Sequence, residues 1–354
     1  MIDWAASVEN RYEYDLVDSR DLDTVVGTLD GVVPGGKLTE GWRTDYRQSA
    51  TLTLDGCEVP LWCAVRIWHV ASQGGQEERT ALATLMPKPG QSAYKLGRAT
   101  GSVDLYSSMW RMGNDLAFSD YGVAAGTDAI QWFRDLVEAA GGTAYVPTAL
   151  SIAPHTFGTS HVWECGDSRL TELNRCAKCC GARVTVDGWG RVALEPHQSP
   201  SQIAASGVLA SDMLEPGVGI DPGDMCNRAV CSVEQDDTRY FAHADLPASH
   251  PWSKERIGYV VAQSVNAPAV EQGGDAQAAA DKAVADKMAD VAAASTTYSV
   301  TGLYSPALTP GRVVALDYRD GPGDGVQARC FISQREVTLD EKMETQYTLE
   351  AVDG

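Results

Sequence analysis

Between Ala50 and Asp55 the chain alternates strictly. Ala50, Leu52 and Leu54 fall on one face, and Thr51, Thr53 and Asp55 fall on the other. A period of two marks a strand with one buried face, because successive side chains leave the backbone on opposite sides. Asp55-Gly56 follows as turn chemistry, since glycine tolerates a positive φ. A second run then sets Cys63, Val65 and Ile67 opposite Trp62, Ala64, Arg66 and Trp68. Two such runs joined by a turn predict consecutive antiparallel strands in a curved sheet or barrel, greasy on one face and wet on the other.

The flanking sequence extends this pattern. Residues 12–17 and 24–29 read as strands, and residues 31–37 as a Gly/Pro loop. Residues 77–84 read as a link to the breaker Met86-Pro-Lys-Pro-Gly90, and residues 99–107 as an alternating strand able to close a first barrel. The composition then changes. Residues 126–142 predict an amphipathic helix with Thr127 or Asp128 as N-cap and Gly141 as its stop. Its apolar stripe is Ile130, Phe133, Leu136, Val137 and Ala140. Residues 168–180 predict a second helix ended by Gly181, with Leu170, Leu173, Cys176 or Ala177, and Cys180 facing inward. Residues 182–196 read as a hairpin with Asp187-Gly188 at the tip.

Beyond the linker 197–201, strands are expected at 227–234, 257–262, 297–301, 311–318, 328–338 and 345–352, with a polar loop over 243–252. An Ala-rich helix over 275–294 interrupts them, N-capped by Asp275, with Ala280, Val284, Met288 and Val291 along one side. The chain therefore reads as α+β, mainly β. A first antiparallel β-barrel spans 1–117, an inserted α/β domain 118–197, and a second β-barrel with the crossover helix 198–354. No sequence repeat of fixed period is visible, but the two β-rich segments flanking the insertion allow two similar barrels.

Composition narrows the function. With 354 residues, 44% apolar and 21% charged, the chain has the make-up of a folded protein of two or three domains. Met1-Ile-Asp-Trp lacks the basic and apolar parts of a signal peptide, and no apolar run is long enough to cross a bilayer. Synthesis in a cytoplasm without a cleaved export signal is the expectation. Lys and Arg number 28 against 48 Asp and Glu, a net charge of −20. That balance argues against nucleic-acid binding as the main role, because phosphate affinity rests on Lys and Arg. Solubility accounts for an acidic surface; so does the need to lie close to DNA without holding it.

The nine cysteines predict free thiols, since the number is odd and no secretion signal is present. Cys226 and Cys231, five apart in a strand-like run, are expected to face opposite ways. Cys176 and Cys180 form a helical i, i+4 pair, about 5–6 Å between Cβ atoms, wider than a disulfide favours. Cys176-x-x-Cys179-Cys180, with Cys165, His155 and His161 upstream, is the metal-like cluster of the sequence. Its cysteines sit in a predicted helix that needs small apolar residues, so packing is the leading reading and zinc the alternative. None of the six histidines lies in H-E-x-x-H or beside G-x-S-x-G. Asp221-Pro-Gly-Asp224 reads as a turn and not a calcium loop, and the glycine pairs at 35–36 and 141–142 lack the rest of a phosphate loop. No catalytic, cofactor or metal site is expected, and the chain reads as a non-enzyme.

The order of these parts carries a resemblance. Trp42-Arg-Thr-Asp-Tyr-Arg-Gln-Ser-Ala-Thr-Leu-Thr-Leu-Asp resembles the opening unit of minor tail proteins of long-tailed actinobacterial phages. Trp132-Phe-Arg-Asp-Leu-Val-Glu-Ala-Ala-Gly, followed by the segment from Gly166 to Val192, resembles the inserted domain of tail hub proteins. Met225-Cys-Asn-Arg-Ala-Val-Cys-Ser-Val and Ser305-Pro-Ala-Leu-Thr-Pro-Gly-Arg-Val-Val-Ala-Leu resemble strands of the second half. The resemblance runs from about Gly36 onward; no lysin-like domain is expected after Gly354, so the cell-wall activity of some relatives is not implied. It implies two tube-type β-barrels with an inserted domain and assembly as a homotrimer, whose two barrels per chain imitate a sixfold ring. The implied role is the baseplate hub at the tip of a siphophage tail, or of a phage-derived particle, built in the host cytoplasm and carried in the virion. The tail tube or distal tail protein would sit above it, and tip or fibre proteins below. Tape-measure protein and DNA would pass through a wet, acidic channel during genome ejection. A hexameric distal tail protein, or a cell-surface-binding or hydrolase module, is the alternative reading.

Overall fold

A computed structural model describes residues 2, 8–88, 94–95, 98–151, 155–198, 200–210, 215–218, 226–235, 238–250, 252–265, 275–293, 297–318 and 326–352. The Asp221-Pro-Gly-Asp224 turn lies outside these residues.

The alternating run forms the strand Gln48–Asp55, with Ala50, Leu52 and Leu54 buried and Thr51, Thr53 and Asp55 exposed, as its periodicity requires. Its neighbours, however, are Val32–Gly41 and Arg98–Tyr106. The second run, Cys63–Gln73, pairs instead with Glu9–Asp18 and Gln76–Pro87. The expected hairpin between the two runs is therefore absent. The reason lies in burial: Cys63–Gln73 is buried on both faces from Cys63 to Ala71, which suits a central strand and not a half-wet wall. Its second face is covered by the tip of a distant hairpin. Trp68 meets Trp189 edge to face at 5.4 Å, and the Thr84 hydroxyl donates to the Gly188 carbonyl at 2.8 Å. A Cβ on Gly188 would fall on the Ala81 carbonyl, so only glycine lets this tip dock.

These strands belong to one 14-stranded sheet. Its main path runs Asp21–Thr28, Glu9–Asp18, Cys63–Gln73, Gln76–Pro87, Arg98–Tyr106, Gln48–Asp55, Val32–Gly41, Val326–Leu339, Glu344–Ala351, Thr297–Leu303 and Glu215–Val218. Val313–Tyr318 pairs with Val326–Leu339 and carries Ala205–Ala210 in parallel. The fold is mainly β and largely antiparallel, as expected, but the described strands form an open, branched sheet in which no closed barrel is found. Two apolar cores lie under it. One gathers Leu38, Leu52, Ile67, Leu85, Leu105 and Val337. The other gathers Val300, Val314, Leu316, Ile332, Tyr347 and Leu349.

Several expected loops are strands. Residues 32–37 of the expected loop lie within Val32–Gly41, where the pairing slips between Val33 and Lys37; Gly35, at φ +97°, absorbs the extra residues as a bulge. Residues 77–84 are part of Gln76–Pro87, and the start of the expected polar loop 243–252 lies in Thr238–Asp245. The expected strand at 257–262 is instead the end of a short helix, Lys254–Ile257, closed by left-handed Gly258, and the strand proper is Ala262–Ser264. The helix Ser108–Asn114 was not expected; its seven residues are too few for a readable stripe.

Residues 109–194 enclose a third core. Helix Ala129–Ala139 is capped by Asp128, whose carboxylate accepts from the Ile130 and Gln131 amides, and helix Arg169–Cys179 is capped by Ser168. Both expected stripes point inward. The two helices also reveal a repeat that the sequence hides. Adding 40 to each residue number of the first unit gives the second: Asp128 matches Ser168, Gly126 matches Gly166, and Gly141 matches Gly181. Tyr121–Val123 pairs antiparallel with its own equivalent, His161–Trp163. The bridge Leu116–Ser168 is mirrored by Asp128–Thr156. The bond from Ala129 N–H to His155 O is mirrored by that from Arg169 N–H to Asp115 O, at 2.7 and 2.8 Å. Each unit thus completes the other about a local twofold. Few residues are identical; what repeats is backbone geometry and apolar class, Phe133 for Leu173 and Leu136 for Cys176.

A fourth core joins Thr238–Asp245, Arg228–Gln235 and Ala262–Ser264 to helix Ala276–Ala293, which buries Ala280, Val284, Met288 and Val291 as expected. Asp275 accepts from the Ala278 amide at 3.0 Å. Cys226 and Cys231 enter this same core instead of facing opposite ways, because Cys226 precedes the strand and escapes its alternation.

Glu40 and Arg335 form a buried ion pair across the junction of Val32–Gly41 with Val326–Leu339, their side chains 12% and 5% exposed. Arg335 also donates to Leu308 O at 3.0 Å. Burial works against its charge, and the Glu40 carboxylate more than offsets this, so its pKa stays above the ordinary arginine value. Arg335→Leu should lower unfolding free energy by about 3–5 kcal/mol, because it leaves a carboxylate unpaired in the interior. Urea denaturation measures this. Glu40→Gln combined with Arg335→Leu should recover part of the loss.

Candidate functional site

The candidate site is a surface, the hydrated face of the large sheet. The outward face of Gln48–Asp55 continues in register across neighbouring strands. Reading across, Tyr106 pairs with Ser49, Ser49 with Thr39, Thr39 with Glu336, Glu336 with Gln346 and Gln346 with Thr301. A second row runs from Asp104 through Thr51 and Lys37 to Thr338. Every side chain in these rows is polar, and the residues between them in sequence, Leu38, Ala50, Val337, Tyr347 and Val300, are buried beneath. The hydrated face therefore crosses without a break from the first half of the chain to the second.

Its electrostatics are acidic. The carboxylates on it are Asp55, Asp104, Glu336, Glu344 and Glu350. Among the residues whose side chains are described, the cations on it are Lys37 and Arg43, and both are engaged, Lys37 with Glu336 at 2.5 Å and Arg43 with Glu350 at 2.7 Å. Thr51 donates to Asp104 at 3.0 Å. The Thr51, Thr53 and Asp55 part of this face was readable from alternation. Its extension onto Glu336, Gln346 and Thr301 was not, because it depends on a pairing between distant segments; the alternation of Glu344, Gln346 and Thr348 was the available signal.

The path of the sheet ends at Asp21–Thr28, whose outer edge no other strand covers among the described residues. Val25 and Val26 are 52% and 44% exposed there. The Ser19 amide, just before this strand, donates at 3.1 Å to the carbonyl of Trp62, which with Leu61 is also exposed. An unpaired edge with exposed valines is a natural template for another chain.

The metal-like cysteines are not drawn together as ligands. Cys176 and Cys180 point into the core between the two helices, and Cys179 donates to the Thr156 carbonyl at 3.4 Å. Burial raises the Cys176 thiol pKa well above its ordinary value and pushes Cys180 up to about 11, which disfavours the thiolate a metal requires. Cys165 is exposed, and all nine cysteines are free. His161 contacts not these sulfurs but the fully buried Glu172, at 2.7 Å; Trp132 and Arg175 also donate to Glu172, at 3.1 and 2.9 Å. Among the described residues no group of three His, Cys, Asp or Glu is placed to hold a metal ion, and no helix is long and apolar enough to cross a membrane.

No family model matches the sequence. No curated protein sequence matches it either. Solved structures do. A tail protein from Neisseria meningitidis MC58 superposes with a TM-score of 0.64 at 12% identity, covering 96% of each chain. The 43 kDa tail protein of prophage MuSo2 from Shewanella oneidensis gives 0.60 at 12% identity, over 96% of this chain and all of that one. Prophage tail protein gp18 from Listeria monocytogenes EGD-e gives 0.52 at 10% identity, over 96% and 94%. The chain has the fold of phage tail proteins, in line with the resemblance read from its motifs.

The thiol environments make a direct test. With an aromatic disulfide reagent at pH 8, Cys165 should react in the folded protein, whereas Cys176 and Cys180 should react only after unfolding. Mass mapping of the modified sites reads the difference; prompt reaction at Cys176 would contradict the packing.

Proposed function

We propose that this chain is a non-enzymatic structural protein of a phage-type tail, the hub at its tip, working as a homotrimer. The observation that carries the reading is the hydrated acidic face that runs unbroken across both halves of the chain. A surface that must line a channel needs such continuity, and a surface that merely meets solvent does not. Two separate cores beneath one sheet support two tube-type units per chain, so three chains supply six. That arrangement matches a hexameric tube or distal tail protein above to threefold tip or fibre proteins below.

The acidic wall gives DNA no phosphate-binding sites, so the genome and the tape-measure protein pass without being held. Lys37 and Arg43 fit this reading because each is neutralised in place. The hexameric distal tail protein is the second reading; a single tube unit would suffice for it, and the second core argues against it. A cell-surface hydrolase would need a catalytic constellation, and turnover of cell-wall material by the purified protein would overturn the proposal.

Stoichiometry separates the first two readings. Native mass spectrometry or electron microscopy of the purified ring should give three copies, and six would favour the distal tail protein. Reversing charge on the wall, as in Asp104→Lys with Glu344→Lys, should leave assembly intact. It should slow DNA release from particles, and the defect should ease as salt is raised, because added Lys introduces salt-dependent phosphate contacts.

A further inference from the structure

A cleft of about 520 Å³ opens where the first sheet lobe, the inserted hairpin and the segment before Val313–Tyr318 meet. Its walls include Trp42, Leu82, Tyr304 and Pro310, and its polar lining includes Arg47, Gln48, Arg183 and Arg312. Nothing in the tail reading uses it.

Three features of this lining ask for a ligand. Gln48 is 7% exposed and its amide nitrogen is spent on Glu40 and Leu82 O, at 3.1 and 3.3 Å, yet its Oε1 is buried with no hydrogen-bond donor. Arg183 lies over the Trp42 ring and pairs with Glu195, while its Nε–H is buried with no acceptor. Arg47 donates to the Trp42 and Val184 carbonyls, and among the described residues no carboxylate forms an ion pair with it. Burial lowers its pKa, against the opposing pull of the Asp45 and Glu195 carboxylates. Its backbone is also held at φ +59°, a conformation that costs a non-glycine residue free energy.

The missing partners have a chemistry. Gln48 Oε1 needs a donor, which a phosphate ester or a simple carboxylate does not supply. Arg183 Nε needs an acceptor. A peptide group offers both, and a carboxylate answers Arg47. Arg312, exposed at the rim, adds a second cation toward the same ligand. We propose that this cleft binds an acidic peptide segment, its backbone satisfying Gln48 and Arg183 and its carboxylates meeting Arg47 and Arg312. The site does not depend on the hub assignment, since it is complete within one chain.

Calorimetric titration of the full chain with N-acetyl-tetraglutamate amide tests it. Binding is expected, together with weakening as salt rises and no binding of the tetraglutamine analogue. Gln48→Leu, which removes the orphan oxygen at constant charge, should weaken binding, and Arg312→Glu should weaken it at least about tenfold. Arg47→Gln should do the same. If Arg47→Gln fails to fold, the exposed Arg312→Glu decides. The proposal fails if the acidic peptide does not bind, or if Gln48→Leu and Arg312→Glu both bind it unchanged. It also fails if glutarate binds as tightly as the peptide, which would mark a carboxylate site without peptide recognition. The number of copies in the ring is read separately, so failure of either idea leaves the other standing.

Discussion

The architecture depends on one strand pairing. Val326–Leu339 lies antiparallel to Val32–Gly41, joining segments about 300 residues apart and converting two sheet lobes into one. The pairing is fixed chemically as well as by backbone bonds. Arg335 reaches Glu40 across it, and Lys37 reaches Glu336 on the opposite, wet side. A one-residue slip would turn Arg335 into solvent and Glu336 into the core. The buried pair therefore acts on register more than on net stability, since such pairs recover little beyond their own desolvation. Because register sets which side chains face out, the same contact decides that the polar rows on either side align. The hydrated face is a consequence of this junction.

The inserted domain is held to the sheet by similarly local means. The tip of its hairpin reaches the Gln76–Pro87 strand at Gly188, and Ser108, at the start of the unexpected helix, donates to Gly190 O at 2.8 Å. Arg66, 2% exposed, lies under Trp189 with its centroid distance at 4.5 Å and donates to Thr84 at 3.1 Å. The insertion thus covers what would otherwise be the second, exposed face of Cys63–Gln73. That explains why this strand is buried on both sides although it lies in an antiparallel sheet.

What the sequence revealed follows from how local each signal is. The caps at Asp128 and Asp275 and the stripes of all three helices were readable because a helix satisfies its own backbone within a few residues. Strand identity at Gln48–Asp55 and at residues 344–351 was readable from alternation. Strand partners were not. Cys63–Gln73 follows Gln48–Asp55 in the chain, yet Arg98–Tyr106 and Gln76–Pro87 separate them in the sheet. The Pro34-Gly35-Gly36 segment was misread for a related reason: turn residues also build bulges, and only the partner strand distinguishes the two. The 40-residue repeat stayed hidden because its equivalence resides in backbone bonds and not in residue identity. Of the candidate face, the central strand was visible and the span was not.

The distribution of arginine connects the fold to its acidic surface. Arg66, Arg335 and Arg183 are withdrawn into the structure, where they stack on Trp189, Tyr304 and Trp42. Guanidinium suits such places because it is planar, weakly hydrated and able to serve several carbonyls at once. Each arginine used in this way is a positive charge removed from the outer surface. Arg335 takes Glu40 inward with it, whereas Arg66 is spent on Thr84 and the Leu22 carbonyl. A chain could reach the same exterior by adding carboxylates alone, at the expense of self-repulsion in the folded state. Moving cations inward produces the acidic face while those same cations fasten the lobes together.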